Sequence, residues 1–234
     1  MTLALWKDLS PFDQPLKKPS AASPHILVIG SRVTGLTSAW VLLDRGYRVT
    51  VLSCEWVNSK HRLTSQTAGA LWEYPPAGAK YVTETEDDLV LIEDVLRARF
   101  QADAIVNFPG LGAKVLAGDR SVYPIRGGLV RVVNDGIHFP KVDAALTISA
   151  DVSVDEIIFL VPRNDNILLI GGIAELHRGS LDLTLDSPII KRMRKRCEAF
   201  SPGLENARLD PEYPFAQGLR PFRRQNVRVE RELP

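Results

Sequence analysis

Cysteine is scarce here: Cys54 and Cys197 are the two in 234 residues. They stand far apart, which argues against a disulfide framework and leaves too few thiols for a zinc site. Net charge is almost absent as well. The 29 Lys and Arg nearly balance the 28 Asp and Glu, for +1, so no global field gathers nucleic acid or an anionic membrane surface. No apolar run approaches the ~20 residues of a membrane span. The four histidines, His25, His61, His138 and His177, are scattered. They form no visible ligand pair or acid–base pair, and surface or satisfied core positions are expected for them. There is no internal repeat and no low-complexity segment. What is present is ordinary for a globular chain, with 45% hydrophobic and 24% charged residues. That is enough to bury a real core in one large domain or two small interlocked ones.

Residues 1–24 carry Asp8, Asp13, Lys17 and Lys18 with Pro11, Pro15, Pro19 and Pro24. This is not a secretory signal, and it reads as the polar N-terminal tail of a cytoplasmic protein. The texture changes at "HILVIGSRVTGLTSAW", His25 to Trp40. Residues 25–30 predict a buried parallel strand stopped by glycine. Residues 35–45 predict a helix, with Leu36, Ala39, Trp40 and Leu43 on one face and Gly46 at its end. "YRVTVLS", Tyr47 to Ser53, predicts the next strand, completing a right-handed βαβ unit.

The turn reads "GSRVTG", where a dinucleotide-binding fingerprint reads G-x-G-x-x-G. Gly30 and Gly35 keep the tight turn and the close helix–strand packing. Arg32 stands where the middle glycine lets backbone approach a pyrophosphate. If that position needs φ > 0, an L-residue there costs ~1–2 kcal/mol, and its Cβ points at the phosphates. A guanidinium is also a phosphate ligand, but the clash is expected to outweigh it. The backbone of Gly30, Ser31, Val33, Thr34 and Gly35 is where phosphates would meet the helix start. Glu55, just past the second strand, is the candidate acid for a ribose. The alternative is that the βαβ unit is core without a nucleotide.

Further on, residues 86–99 predict a helix along Leu89, Ile92 and Leu96, and "ADAIVNFPG", Ala102 to Gly110, a third buried strand. From Ser121 the pattern becomes "SVYPIRGGLVRVV", "DAALTIS", "DEIIFLVP" and "NILLIGGIA". These strands have no crossover helices between them, so an antiparallel sheet is expected, with "RNDN" as a hairpin turn. One helix follows, with Ser187 as its cap and Pro188 in its first turn. Ile189, Met193, Cys197 and Phe200 are expected on its buried face. Lys191, Arg192, Arg194, Lys195 and Arg196 are expected on its wet face. Val227 and Val229 alternate with arginines as a half-buried strand would.

Three stretches in this order, "RLTSQTAGALWEYPP", "ILLIGGIAE" and "QGLRPFRRQNVRVERE", resemble the D-amino-acid oxidase family of flavoproteins, its fungal members above all. "AIVNFPGLGA" and "YPIRGGLVRV" fit the same pattern, and the resemblance runs from about His25 to Leu233. It implies an α/β protein in which a Rossmann-like FAD-binding domain, residues 25–118, is joined to an antiparallel-sheet substrate-type domain, residues 119–234. It implies hydride transfer from the α-carbon of a D-amino acid to FAD, with dioxygen reoxidising the flavin. Arg220 matches the family arginine that holds the substrate carboxylate, as a planar fork can do bidentately. Thr64, Ser65, Ala68, Gly69 and Ala70 match the loop along the flavin. Arg220 between Leu219 and Pro221 also admits a structural role, and Trp72 reads as a core anchor.

The sequence also departs from the family. Arg32 alters the glycine turn. The insertion after Tyr74-Pro75-Pro76 is short, and the family's closing turn and final helix have no counterpart before Pro234. Phe159 takes the place of an active-site tyrosine. These departures predict a shortened member with a weakened hold on FAD. Its partner is expected to be a small amino acid or amine, and a second copy of the chain is expected to cover exposed sheet edges. The competing expectation is a flavin-free descendant acting as a cyclase, an isomerase or a binding protein. By family analogy a peroxisomal location stands beside the cytoplasmic one.

Overall fold

The computed structural model describes residues 15–56, 80–83, 89–149, 157–163, 166–225 and 229. They fall into two compact units that divide between Ser121 and Val122. The first is built on four strands, β1 (His25–Ile29), β2 (Arg48–Ser53), β3 (Lys80–Thr83) and β4 (Ala104–Asn107). Their order is β3-β2-β1-β4, and every neighbouring pair is parallel. Helix α1 (Val33–Asp44) links β1 to β2, α2 (Leu89–Phe100) precedes β4, and α3 (Ala113–Leu116) is a short turn after it.

β1 is buried along its whole length, and apolar from Ile26 to Ile29, because both of its faces are covered. Ile26 and Val28 pack with Leu36, Ala39 and Leu43 of α1. Leu27 and Ile29 pack with Leu96 and Ala102 at α2 and beyond. Gly46 ends α1 at φ +84, its N–H donating to the Leu43 carbonyl at 2.8 Å, a left-handed geometry that glycine adopts freely. Residues 15–24 run back along this unit. The Leu16 N–H donates to Asp44 Oδ1, and Arg48 Nε donates to the Ser23 carbonyl.

The second unit holds β5 (Val122–Val133), β6 (Leu146–Ser149), β7 (Ile157–Arg163), β8 (Ile167–Gly171), β9 (Glu175–Leu176) and β10 (Phe215–Arg223). The strand order is β10-β5-β8-β7-β6, with β9 also beside β5, and all pairs are antiparallel. One face carries Val130, Val132, Leu160, Leu168 and Ile170 against α4 (Pro188–Phe200).

The helix meets the sheet through Ile190, Met193 and Cys197, rather than the expected stripe of Ile189, Met193, Cys197 and Phe200. The reason is Gly128. Ile190 Cδ1 reaches to 3.1 Å from where a Cβ on that glycine would stand, so the strand offers a seat that turns the helix. Phe200 is left 39% exposed. Ser187 is not a side-chain cap, because its hydroxyl accepts from the Thr184 N–H at 2.9 Å instead. Arg196 leaves the wet face and donates from Nη2 to the Gly172 carbonyl. Val229 is 89% exposed and lies outside any strand, since β10 ends at Arg223; Val227 lies outside the described residues.

A buried ion pair ties β5 to the segment ahead of β10. Asp210 accepts from Arg131 Nε at 2.8 Å and from the Glu212 N–H at 3.0 Å, while 5% exposed. Burial alone would raise its pKa, but the Glu212 N–H and the Arg131 charge hold the carboxyl below its ordinary value. Its contribution to stability is therefore full above the unfolded carboxyl pKa of roughly 3.9. It is lost as pH falls through the lower folded value. Asp210→Asn is expected to cost about 3 kcal/mol at pH 7. Urea unfolding from pH 7 to 2 should show the difference from wild type shrinking in acid.

Candidate functional site

The glycine turn sits where β1 gives way to α1, at the carboxyl end of the parallel sheet. Gly30 has φ +110, and a Cβ on it would run into the Phe108 carbonyl; one on Gly35 would run into the Gly30 carbonyl. Both glycines are therefore demanded by the turn itself. Arg32 behaves differently from expectation. It is the N-cap residue of α1 with φ −84 and ψ 176, extended backbone that any residue adopts. The expected strain is absent, because the chain enters the helix from an ordinary extended residue. The side chain is exposed, as are Val33 and Thr34.

The N-cap residue Arg32 makes no side-chain cap hydrogen bond, and the positive end of the α1 dipole faces the turn. Ser31 is 3% exposed, and its hydroxyl is committed inward, to Ser53 Oγ at 2.6 Å and the Glu55 carbonyl at 2.8 Å. These bonds fasten the end of β2, and with it the exposed Glu55, beside the turn. Asn107 ends β4 directly opposite Ile29. Its Oδ1 is buried without a partner, a polar atom left for a group that enters here. Its place, where strand order departs to either side of β1, is where open α/β sheets take ligands. No sequence signal singled out Asn107; only the β1–β4 pairing brings it beside Gly30. Thr64, Ser65, Ala68, Gly69, Ala70 and Trp72 lie outside the described residues. The glycine turn at the start of α1 fits the phosphates of a dinucleotide such as FAD, and the orphaned Asn107 oxygen, an acceptor, fits a hydroxyl or amino donor of such a molecule.

A cleft of about 450 Å³ opens at the opposite, amino end of this sheet, lined by His25, Arg48, Thr50 and Arg99 among others. His25 is held there at both ring nitrogens, by the Phe100 carbonyl at 2.8 Å and Thr50 Oγ1 at 2.9 Å. It is the satisfied core histidine that the sequence suggested, and no chemistry is assigned to the cleft.

In the second unit Arg220 lies on β10, directly opposite Ile125 of β5. Side chains alternate along a strand, so Arg220 shares the sheet face of Ile125, Gly127 and Leu129, away from α4. Its guanidinium makes no hydrogen bond or ion pair with any described residue. It lies against the strand at Gly127 while the residue as a whole stays exposed, and the partial burial of the guanidinium lowers its pKa. The neighbouring cations of the sheet are spent: Arg126 is paired with Glu175 and Asp182, and Arg131 with Asp210. Phe159 belongs to the same face, opposite Gly171 in register. Its ring occupies the space that Cβ atoms on Gly171 and Gly172 would need, at 2.5 and 2.6 Å.

A parallel sheet with a glycine turn at the carboxyl end of its inner strand β1, and in the same chain an antiparallel sheet with an arginine unpaired among the described residues, define a two-part α/β protein. The family model described as FAD dependent oxidoreductase (DAO) matches residues 76–234, and the chain belongs to that family. It is 38% identical over 138 residues to a D-amino-acid oxidase of Rubrobacter xylanophilus, covering 57% of this chain and 37% of the relative. It is 36% identical over 134 residues to one from Streptomyces coelicolor, covering 57% and 38%. The chain thus spans little more than a third of the length of these curated relatives. Among solved structures, glycine oxidase from Bacillus cereus aligns with a TM-score of 0.53 over 84% of each chain at 14% identity, a likeness of fold alone.

Proposed function

We infer that the protein is an FAD-dependent oxidase of an amino acid or amine, oxidising its C–N bond, with dioxygen reoxidising the flavin. The observation that carries this reading is the Arg220 guanidinium, laid against Gly127 and with no acceptor among the described residues, in a chain of the DAO family. A planar fork left unpaired in this way suits a carboxylate, which it can hold by two parallel charge-assisted bonds. In the first unit the turn from Gly30 to Gly35, with the α1 N-terminus, would hold the diphosphate of FAD, Glu55 would take the ribose, and Asn107 Oδ1 would accept from a hydroxyl or amino group of the cofactor. When bound, FAD supplies the hydride acceptor. The protein's own work is to fix the carboxylate at Arg220 and to offer an apolar wall at Phe159. No helix among the described residues is long and apolar enough to cross a membrane.

The test is the visible spectrum of the purified chain, alone and with added FAD, followed by oxygen consumption with panels of D- and L-amino acids and amines. Stoichiometric yellow protein and turnover of at least one carboxylate-bearing amine are expected. A chain that takes up no FAD would overturn the reading, as would one that takes it up and oxidises none of the panel.

A further inference from the structure

Arginine side chains are long, and they rarely lie flat on a β-strand because the strand's own Cβ atoms stand in the way. Arg220 does lie flat. A Cβ on Gly127 would stand 2.7 Å from its Nη2, 2.9 Å from Cζ and 3.1 Å from Nη1. All three atoms belong to the guanidinium, so what occupies the missing Cβ position is the charged fork itself and not its stem. Gly127 is buried and its φ is outside the left-handed region, in the middle of a regular antiparallel pair. Its backbone therefore does not require glycine. A glycine in a strand interior weakens the strand and needs another reason, of which close approach by another group is one.

We propose that Gly127 is a positioning residue for carboxylate binding: its absent Cβ is the seat that sets the height and tilt of the Arg220 guanidinium. Arg220 sits in the Ile125 row of the sheet and reaches forward into the Gly127 row. The next row in that direction contains Leu129, Gly171 and, beside Gly171, Phe159. The seat thus turns the fork toward the Phe159 row and away from Tyr123 and Phe222, which pair across the strands behind it. A monocarboxylate with a branched apolar tail fits this arrangement, head on the fork and tail toward the Phe159 ring. This inference rests on the reading of Arg220 as the carboxylate holder and adds the residue that aims it.

The test compares wild type, Gly127→Ala, Arg220→Met and the double variant, all as full chains. The probe is isovalerate, followed by calorimetric titration with thermal unfolding in parallel. An alanine is welcome in a strand, and the colliding atoms are the far end of a flexible side chain, so Gly127→Ala is expected to unfold at or above the wild-type temperature. Its affinity for isovalerate is expected to fall tenfold or more. Arg220→Met is expected to abolish binding, with no further change in the double variant. If Arg220→Met loses binding while Gly127→Ala keeps wild-type affinity, the role given to Gly127 is overturned and that of Arg220 stands. If wild type binds no isovalerate, or Arg220→Met binds it as wild type does, both roles fall. If the affinity loss in Gly127→Ala tracks an equal loss of thermal stability, the residue is structural and the inference is also overturned.

Discussion

Gly35→Ala is expected to unfold the first unit. The added Cβ would meet the carbonyl oxygen of Gly30, which is backbone and cannot swing aside. Gly30 has no freedom either, because it holds φ +110 and its own missing Cβ faces the Phe108 carbonyl. Relief would require α1 to lift from β1, and that would break the packing of Leu36, Ala39 and Leu43 on Ile26 and Val28. Each fully buried aliphatic side chain is worth ~1.5–3 kcal/mol. A cost above ~4 kcal/mol is expected, the range of mutations that break a named structural device. Urea unfolding followed by circular dichroism measures it. Gly46→Ala is the control. It also has a positive φ, +84, but its missing Cβ faces only the flexible Lys17 side chain, so the cost should stay near ~1–2 kcal/mol. A Gly35→Ala chain as stable as the Gly46→Ala chain would show that the turn is not as tight as described.

Arg220→Met is expected to remove carboxylate-dependent turnover while sparing the fold and FAD uptake. Methionine keeps much of the apolar stem but offers no donors. Hydrogen bonds to charged groups are each worth roughly 1.5–3 kcal/mol. Losing a bidentate pair should therefore lower kcat/KM by about 10²–10⁴ for an amino acid, at ~1.4 kcal/mol per tenfold. The guanidinium has no partner among the described residues, so its removal strands no buried carboxylate, and stability should change by less than ~1 kcal/mol. The contrast that matters is between substrates. An amine without a carboxylate should be processed equally by both proteins. An equal fall for both substrates would mean that Arg220 shapes the site without touching the acid.

Much of this protein could be read along its sequence. The apolar run of β1, the stripe of α1 and the stop at Gly46 are local patterns, and local sterics and hydrophobic periodicity enforce them. The strands from Ser121 onward were legible in the same way. The backbone strain weighed for Arg32 is absent, because a motif position does not fix a backbone conformation and only the chain path into α1 shows φ −84. The buried stripe of α4 departs from the expected one at two positions: Phe200 is exposed, and Ile190 is the fully buried isoleucine while Ile189 is half-buried against the same core. Ile189 and Ile190 are equally apolar, and the seat over Gly128 that chooses between them belongs to another strand.

The sequence by itself determined the two kinds of sheet, the glycine turn between β1 and α1, and the candidacy of Arg220, because each depends on neighbours a few positions away or on a contiguous motif. The tertiary structure alone decided that Asn107 ends beside Gly30, that among the described residues its oxygen has no partner and Arg126 and Arg131 are paired while Arg220 is not, and that Gly127 lies beneath the Arg220 guanidinium. Each of these is a contact between residues tens of positions apart. Which charges are cancelled, and which side chain fills a missing Cβ, is settled by strand register and packing, which no local pattern carries.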